Sequence, residues 1–305
     1  MMGNLKGWLA IMVVTAMSGL GAAQADNVDS SSTLLRIKET GAITLGHRAS
    51  EIPFSYVVDG KAMGYSIDLC LNVVDAVSAR LGLEEVQVHF VPVTPANRFI
   101  LLRNGDIDLE CGVTTSTAER RQQATFSYPH FLTTTRYVSL AENDMHGIAD
   151  LAGRSVVSTT GTINIEQLNN LNRTQGLHIS VMLSRSHEEG FSMVATRQAS
   201  AFVMDDILLA GLVSVADNPS LFRISEETLS EPEPYGLMMP RDDPLFAELV
   251  NSTLRQMYQS NAILTLYDAW FLQPIPPDNR VVGLPLSPEL ATIFANPEAY
   301  VDERR

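Results

Sequence analysis

Across residues 42–206 the chain alternates short apolar, β-branched runs with stretches whose apolar residues recur at helical spacing, and it does so in two rounds. In the first round the runs at 42–46, 86–93 and 107–111 have strand character. Residues 66–81 read as a helix stopped by Gly82, and 95–103 as a helix with Thr94 as N-cap and Pro95 in its first turn. After a strand at 137–140 the second round follows, with strands at 155–160, 178–183 and 201–204 and helices at 164–171, 188–196 and 206–213. Such alternation predicts an α/β fold of βα units with mixed, mostly parallel sheets, and two rounds predict two lobes. Beyond Pro240 the pattern turns helical, at 244–259 and 262–271. A Pro-rich tail with a short helix near 288–294 closes the chain.

The first 25 residues stand outside this pattern. Lys6 precedes an apolar stretch at 8–17, and small residues lead to Ala23-Gln24-Ala25. That is the layout of a secretory signal peptide, and the apolar core is shorter than the ~20 residues of a membrane span. The mature chain is expected to start at Asp26, to carry 20 basic against 35 acidic residues and to lie outside the cytoplasm. A net charge of −15 argues against nucleic acid and anionic membrane surfaces as partners. The 280 remaining residues suit two domains. Cys70 and Cys111 are the two cysteines; export makes a disulfide available to them, and two buried thiols are the alternative. The six histidines are scattered, with no metal-ligand spacing and no nucleophile–base pair, so no cofactor, metal or catalytic set is expected.

In α/β lobes ligands sit beyond the carboxyl ends of the strands. The turns there carry Arg48, Arg98 and Arg120 in the first round, and Thr159-Thr160-Gly161-Thr162, His187 and Asp205-Asp206 in the second. A guanidinium presents a planar fork of donors matched to a carboxylate. Thr115, Thr160 and Thr162 add hydroxyl and backbone donors. Asp205 or Asp206 suits an ammonium, the alternative being a helix N-cap. Several carboxylate binders with one or two ammonium binders complement an amino acid bearing an extra carboxylate.

These residues resemble a known family, the periplasmic solute-binding proteins of ABC transporters for polar amino acids, and within it the glutamate/aspartate-binding branch. GHRASEIPFSY, GYSIDL, PANR, LLRNGDIDLECG, TTSTAERR, ADLAGRSVV with TTGT, AFVMDDILLAG, EPYGLMM, RDDP and WFLQPIPP carry the resemblance over essentially the whole mature chain. It implies the two-lobed type II periplasmic-binding-protein fold, with two crossover strands forming a hinge. The lobes are expected at 26–135 with 241–305 and at 136–240. It further implies capture of glutamate or aspartate by hinge closure, delivery to an ABC permease, a periplasmic location, and action as a monomer.

Carried over, Arg120 and Thr115, helped by Thr160 and Thr162, would hold the α-carboxylate, and Asp205 the α-ammonium. Arg48, Arg98 and His187 would hold the side-chain carboxylate. Two positions depart from the branch: Pro95 and Val113 stand where it has ligand-donating serines, each worth about 1 kcal/mol. A Cys70–Cys111 disulfide is expected to tie the first long helix to the third strand. Two other readings remain open. One is a dehydratase-like enzyme on the same fold, with Glu119 as a candidate acid or base. The other is a sensor domain captured by a receptor.

Overall fold

The computed structural model describes residues 31–303; the segment 1–25, expected from its sequence to be a signal peptide, lies outside the described residues. Two five-stranded sheets form the centres of two lobes. In the first the order is Gln87–Pro92, Ala42–His47, Leu109–Glu110, Met238–Met239, Thr125–Phe126. The first three strands are parallel, with Ile43 opposite Val88 and Leu45 opposite Leu109. Met238–Met239 runs antiparallel to both its neighbours. In the second sheet the order is Ser180–Ser184, Ser155–Thr159, Ala201–Asp205, Thr135–Leu140, Phe222–Ile224. Again three parallel strands are followed by antiparallel ones.

Helices pack on both sheets through stripes that the sequence periodicity sets. Tyr65–Leu81 buries Ile67, Cys70, Val73, Val74 and Val77 and ends at Gly82 in the left-handed conformation (φ 65°). Pro244–Gln259 buries Phe246, Val250, Leu254, Met257 and Tyr258, with Pro244 in its first turn. Its N-cap Asp243 accepts from the N–H groups of Phe246 and Thr33 at 3.1 and 2.9 Å and from the Ser31 hydroxyl at 2.8 Å, so one carboxylate ties this late helix to Ser32–Thr40. Cys70 and Cys111 are fully buried and bonded to each other, linking the Tyr65–Leu81 helix to the end of the third parallel strand.

Two connections join the lobes. Phe131–Thr133 leads out of the first lobe and Glu233–Tyr235 leads back, and they pair antiparallel with Phe131 opposite Tyr235. Their inner faces enter an aromatic cluster: the Phe54 ring lies 4.8 Å from Phe131 and 5.5 Å from Tyr235, and Phe131 lies 5.4 Å from Phe271. The returning chain then enters the first sheet at Met238–Met239, which lie in the 136–240 stretch given to the second lobe on sequence grounds.

Several local expectations differ. Residues 95–97 are not helical: Thr94 to Asn97 form a turn in which the Thr94 N–H donates to Asn97 Oδ1 at 2.7 Å, and the helix is Arg98–Asn104. Arg120 begins a three-residue 3-10 turn, Arg120–Gln122. The tail holds a second helix, Pro297–Glu303, after Pro288–Ala295.

Replacing both cysteines by serine removes a cross-link between positions 41 residues apart. The chain-entropy account gives a loss of about 2–4 kcal/mol. It is read as a lower urea midpoint, and an unchanged midpoint would contradict a structural role for the bond.

Candidate functional site

The strand ends of both lobes face each other across one buried cavity. It is lined by Arg48, Arg98, Val113, Thr115 and Arg120 from the first lobe and by Thr162, Ile163, Asn164, His187, Met204, Asp205 and Leu208 from the second. Its volume is only about 10 Å³, so the lobes are closed upon it. A roomier cavity of about 340 Å³ runs along Leu132, Ile207 and Leu290; it is mainly apolar, with the Arg136–Asp206 ion pair at 3.9 Å.

The first-lobe wall is built from backbone that delivers cations. Arg48 follows the Ala42–His47 strand, and its N–H donates to Ser55 Oγ at 2.9 Å, which fixes the turn. Arg98 opens its helix and reaches across to Gly161 O at 3.4 Å. Arg120 donates to Thr115 O at 3.1 Å and to the same Gly161 O at 3.4 Å. Both guanidiniums lie against the Phe99 ring, 5.5 and 5.8 Å from its centre. Burial first, and the charge of Arg120 second, push Arg98 down to about 9, which leaves it protonated at neutral pH.

Gly161 is where the lobes touch. Its φ is +83°, and a Cβ there would sit 2.6 Å from Pro95 O. Gly112 serves a second close approach, since a Cβ would strike Glu110 Oε1 and lie 3.0 Å from Arg48 Cγ.

The second-lobe wall centres on Asp205, at the end of the Ala201–Asp205 strand. Asn164 Nδ2 donates to its Oδ1 at 2.7 Å, and the Tyr235 hydroxyl donates to Oδ2. Burial raises the Asp205 pKa, and those two donors oppose the rise. Asp206 turns away: it accepts from the hydroxyls of Thr133 and Thr134, both at 2.7 Å, and so anchors the outgoing crossover strand. Of the two aspartates, Asp205 alone lines the cavity. His187 opens the His187–Ala195 helix, with Nδ1 2.9 Å from Thr159 Oγ1.

Of the residues singled out from sequence, Arg48, Arg98, Thr115, Arg120, Thr162, His187 and Asp205 line this one cavity. Thr160 does not. It is exposed, and its N–H is committed to Ser184 O at 2.9 Å. Thr162 bonds its own hydroxyl to Thr159 O at 2.7 Å.

Sequence reasoning missed Glu51, Glu110, Asn164 and Tyr235. Glu51 stands three residues after Arg48 in a hairpin, and its Oε1 contacts Arg48 Nη2 and, across the cleft, His187 Nε2 at 3.0 Å. Burial pushes the Glu51 carboxyl up; Arg48 and then His187 outweigh it, and the net shift is downward. Glu110, fully buried, accepts from Thr114 Oγ1 at 2.8 Å, and burial raises its pKa against the pull of Arg98 and Arg48. The spacing of Arg48 and Glu51 was the one local signal available. Among the described residues no group of three His, Cys, Asp or Glu is placed to hold a metal ion.

Residues 43–273 match the model of the bacterial extracellular solute-binding proteins, family 3. The chain belongs to this family. It is 37% identical over 289 residues to the glutamate/aspartate import solute-binding protein of Escherichia coli, covering 94% of this chain and 95% of that one. It is 39% identical over 269 residues to the L-glutamate/L-aspartate-binding protein of Pseudomonas aeruginosa, covering 88% and 89%. Among solved structures, an ancestral amino-acid-binding protein, a precursor of cyclohexadienyl dehydratase, aligns with a TM-score of 0.68 at 25% identity over 78% of this chain and 99% of that one. The fold of this family 3 chain is the type II periplasmic-binding-protein fold, and its curated relatives named here are binding proteins. No described helix is long and apolar enough to cross a membrane.

Two donors favour the ionised form of Asp205 against the effect of its burial, so losing one raises its pKa. In Tyr235→Phe the Asp205 carboxyl should titrate higher than in the parent, followed by carboxyl-carbon NMR across pH. An unmoved titration would show that the hydroxyl does not act on Asp205.

Proposed function

We propose that the protein captures an acidic amino acid, glutamate or aspartate, between its lobes and delivers it to an ABC permease. The observation that carries this reading is the meeting, in one buried cavity, of guanidiniums from the first lobe with the Asp205 carboxylate from the second. Arg120, with Thr115 and Thr162, takes the α-carboxylate in bidentate fashion; Asp205, steadied by Asn164 and Tyr235, takes the α-ammonium. Arg98, Arg48 and His187 form the side-chain subsite.

The ligand first meets one lobe in the open form, and contacts available only in the closed form then drive closure about the two crossover strands. The names of the E. coli and P. aeruginosa relatives support the ligand class. In this reading the protein is exported to the periplasm, works as a monomer and catalyses nothing. Glu119, the acid–base candidate of the enzyme reading, is exposed and stands outside the cavity-lining set.

Calorimetry on the mature chain, stripped of ligand by unfolding and refolding, tests the proposal with glutamate, aspartate, glutamine and glutarate. Binding of glutamate or aspartate with glutarate weak is expected; binding of glutarate alone would remove the ammonium site and the amino-acid reading with it. Arg120→Ala should weaken every amino acid by about 30-fold or more, the cost of truncating a buried charge pair. Arg98→Ala should weaken glutamate more than glutamine, and equal losses would contradict its place in the side-chain subsite.

A further inference from the structure

The side-chain subsite already contains a carboxylate. Arg48 lies in the turn that leads into the hairpin of Ser50–Glu51 and Ser55–Val58, and the Glu51 side chain folds back on the guanidinium, so that Oε1 meets Arg48 Nη2 and His187 Nε2 together. All three residues are nearly inaccessible, at 4, 3 and 6% exposure, so solvent does little to screen their charges. The charged groups facing Glu51 are Arg48 in the turn just before it, His187 at the head of the opposing helix, Arg98 at the head of its helix, and Glu110 at the end of the Leu109–Glu110 strand of the first sheet. Leaving His187 aside, two cations face two carboxylates: this end of the cleft is formally neutral before a ligand arrives.

The unpartnered atoms add chemical detail. Arg48 Nη1, Arg98 Nε, Glu51 Oε1, Glu51 Oε2 and Glu110 Oε1 are buried and, ion pairs aside, have no hydrogen-bond partner among the described residues. Two are donors and three are acceptors. A side-chain amide offers an acceptor and a donor in return; a carboxylate offers only acceptors.

We propose that Glu51 is a specificity-determining residue: its carboxylate holds the Arg48 and His187 contacts that a ligand's second carboxylate needs, and so it lowers the preference of the cleft for a dicarboxylic amino acid over its amide. This rests on the acidic-amino-acid reading of the same site. A dicarboxylate brings a third anion beside two cations and must displace Glu51 from Arg48 or lie against it, a repulsive element of the kind that sets selectivity. An amide adds no charge and offers a donor as well as an acceptor to this mixed set of orphaned atoms.

The test is calorimetry of the mature chain and its Glu51→Gln and Glu51→Ser variants with glutamate, glutamine, aspartate and asparagine. Gln keeps the shape and removes the charge; Ser removes the side chain, so that the conclusion does not hang on one variant folding. In the variants the ratio of dicarboxylate to amide affinity should rise about tenfold or more. A residue with a merely structural role would lower both affinities and leave the ratio where it was. An unchanged or falling ratio in the variants overturns the role of Glu51 and leaves the acidic-amino-acid reading standing. If the parent binds only the amides and the variants gain the dicarboxylates, Glu51 is upheld and the acidic reading falls. If none of the three proteins binds any of the four ligands, both fall.

Discussion

Charge burial between the lobes is the constraint on which the rest of the structure depends. Arg48, Arg98, Glu51, Glu110 and Asp205 are all nearly inaccessible to solvent. A buried charge is costly unless it is paired. Some partners lie within one lobe, as with Glu110 and Thr114, or Asp205 and Asn164. Others exist only because the lobes meet: Glu51 reaches His187, and Arg98 and Arg120 both reach Gly161 O. The closed cleft is therefore held by contacts that opening would expose to water, which is the condition for an equilibrium that a ligand can shift.

The hinge side obeys different physics. The paired Phe131–Thr133 and Glu233–Tyr235 strands sit on stacked and edge-on aromatic rings, and Asp206 fastens the outgoing strand through Thr133 and Thr134. Tyr235 belongs to both regions. Its ring packs in the aromatic cluster, and its hydroxyl holds Asp205 at the cavity wall. The returning crossover strand thus also positions the carboxylate proposed to meet the ammonium.

Much of the fold was legible because it rests on local periodicity. Pro244–Gln259 and Ala262–Phe271 carry unbroken helical stripes, and both were readable to their end residues. The turn at Thr94–Asn97 was not, because its geometry comes from side-chain bonds between Thr94 and Asn97 rather than from apolar spacing. The site shows the same divide. Polar residues at strand ends could be found by position along the chain, and seven of those candidates, three of them arginines, share the cavity. Asn164 and Tyr235 act on Asp205 from 41 and 30 residues away, a relation that only folding creates. Glu51 was overlooked for another reason: an acidic residue three places from an arginine reads as an ordinary surface pair until its burial is known.

The central claim is that a ligand held between the lobes draws them together. Pulsed electron paramagnetic resonance measures it most directly, with spin labels at the exposed positions Gln87 and Thr174, one on each lobe, attached without using cysteine chemistry. Saturating glutamate or aspartate should replace a broad, longer interlobe distance with a narrower, shorter one. The same distance distribution with and without bound ligand would contradict closure as the consequence of binding.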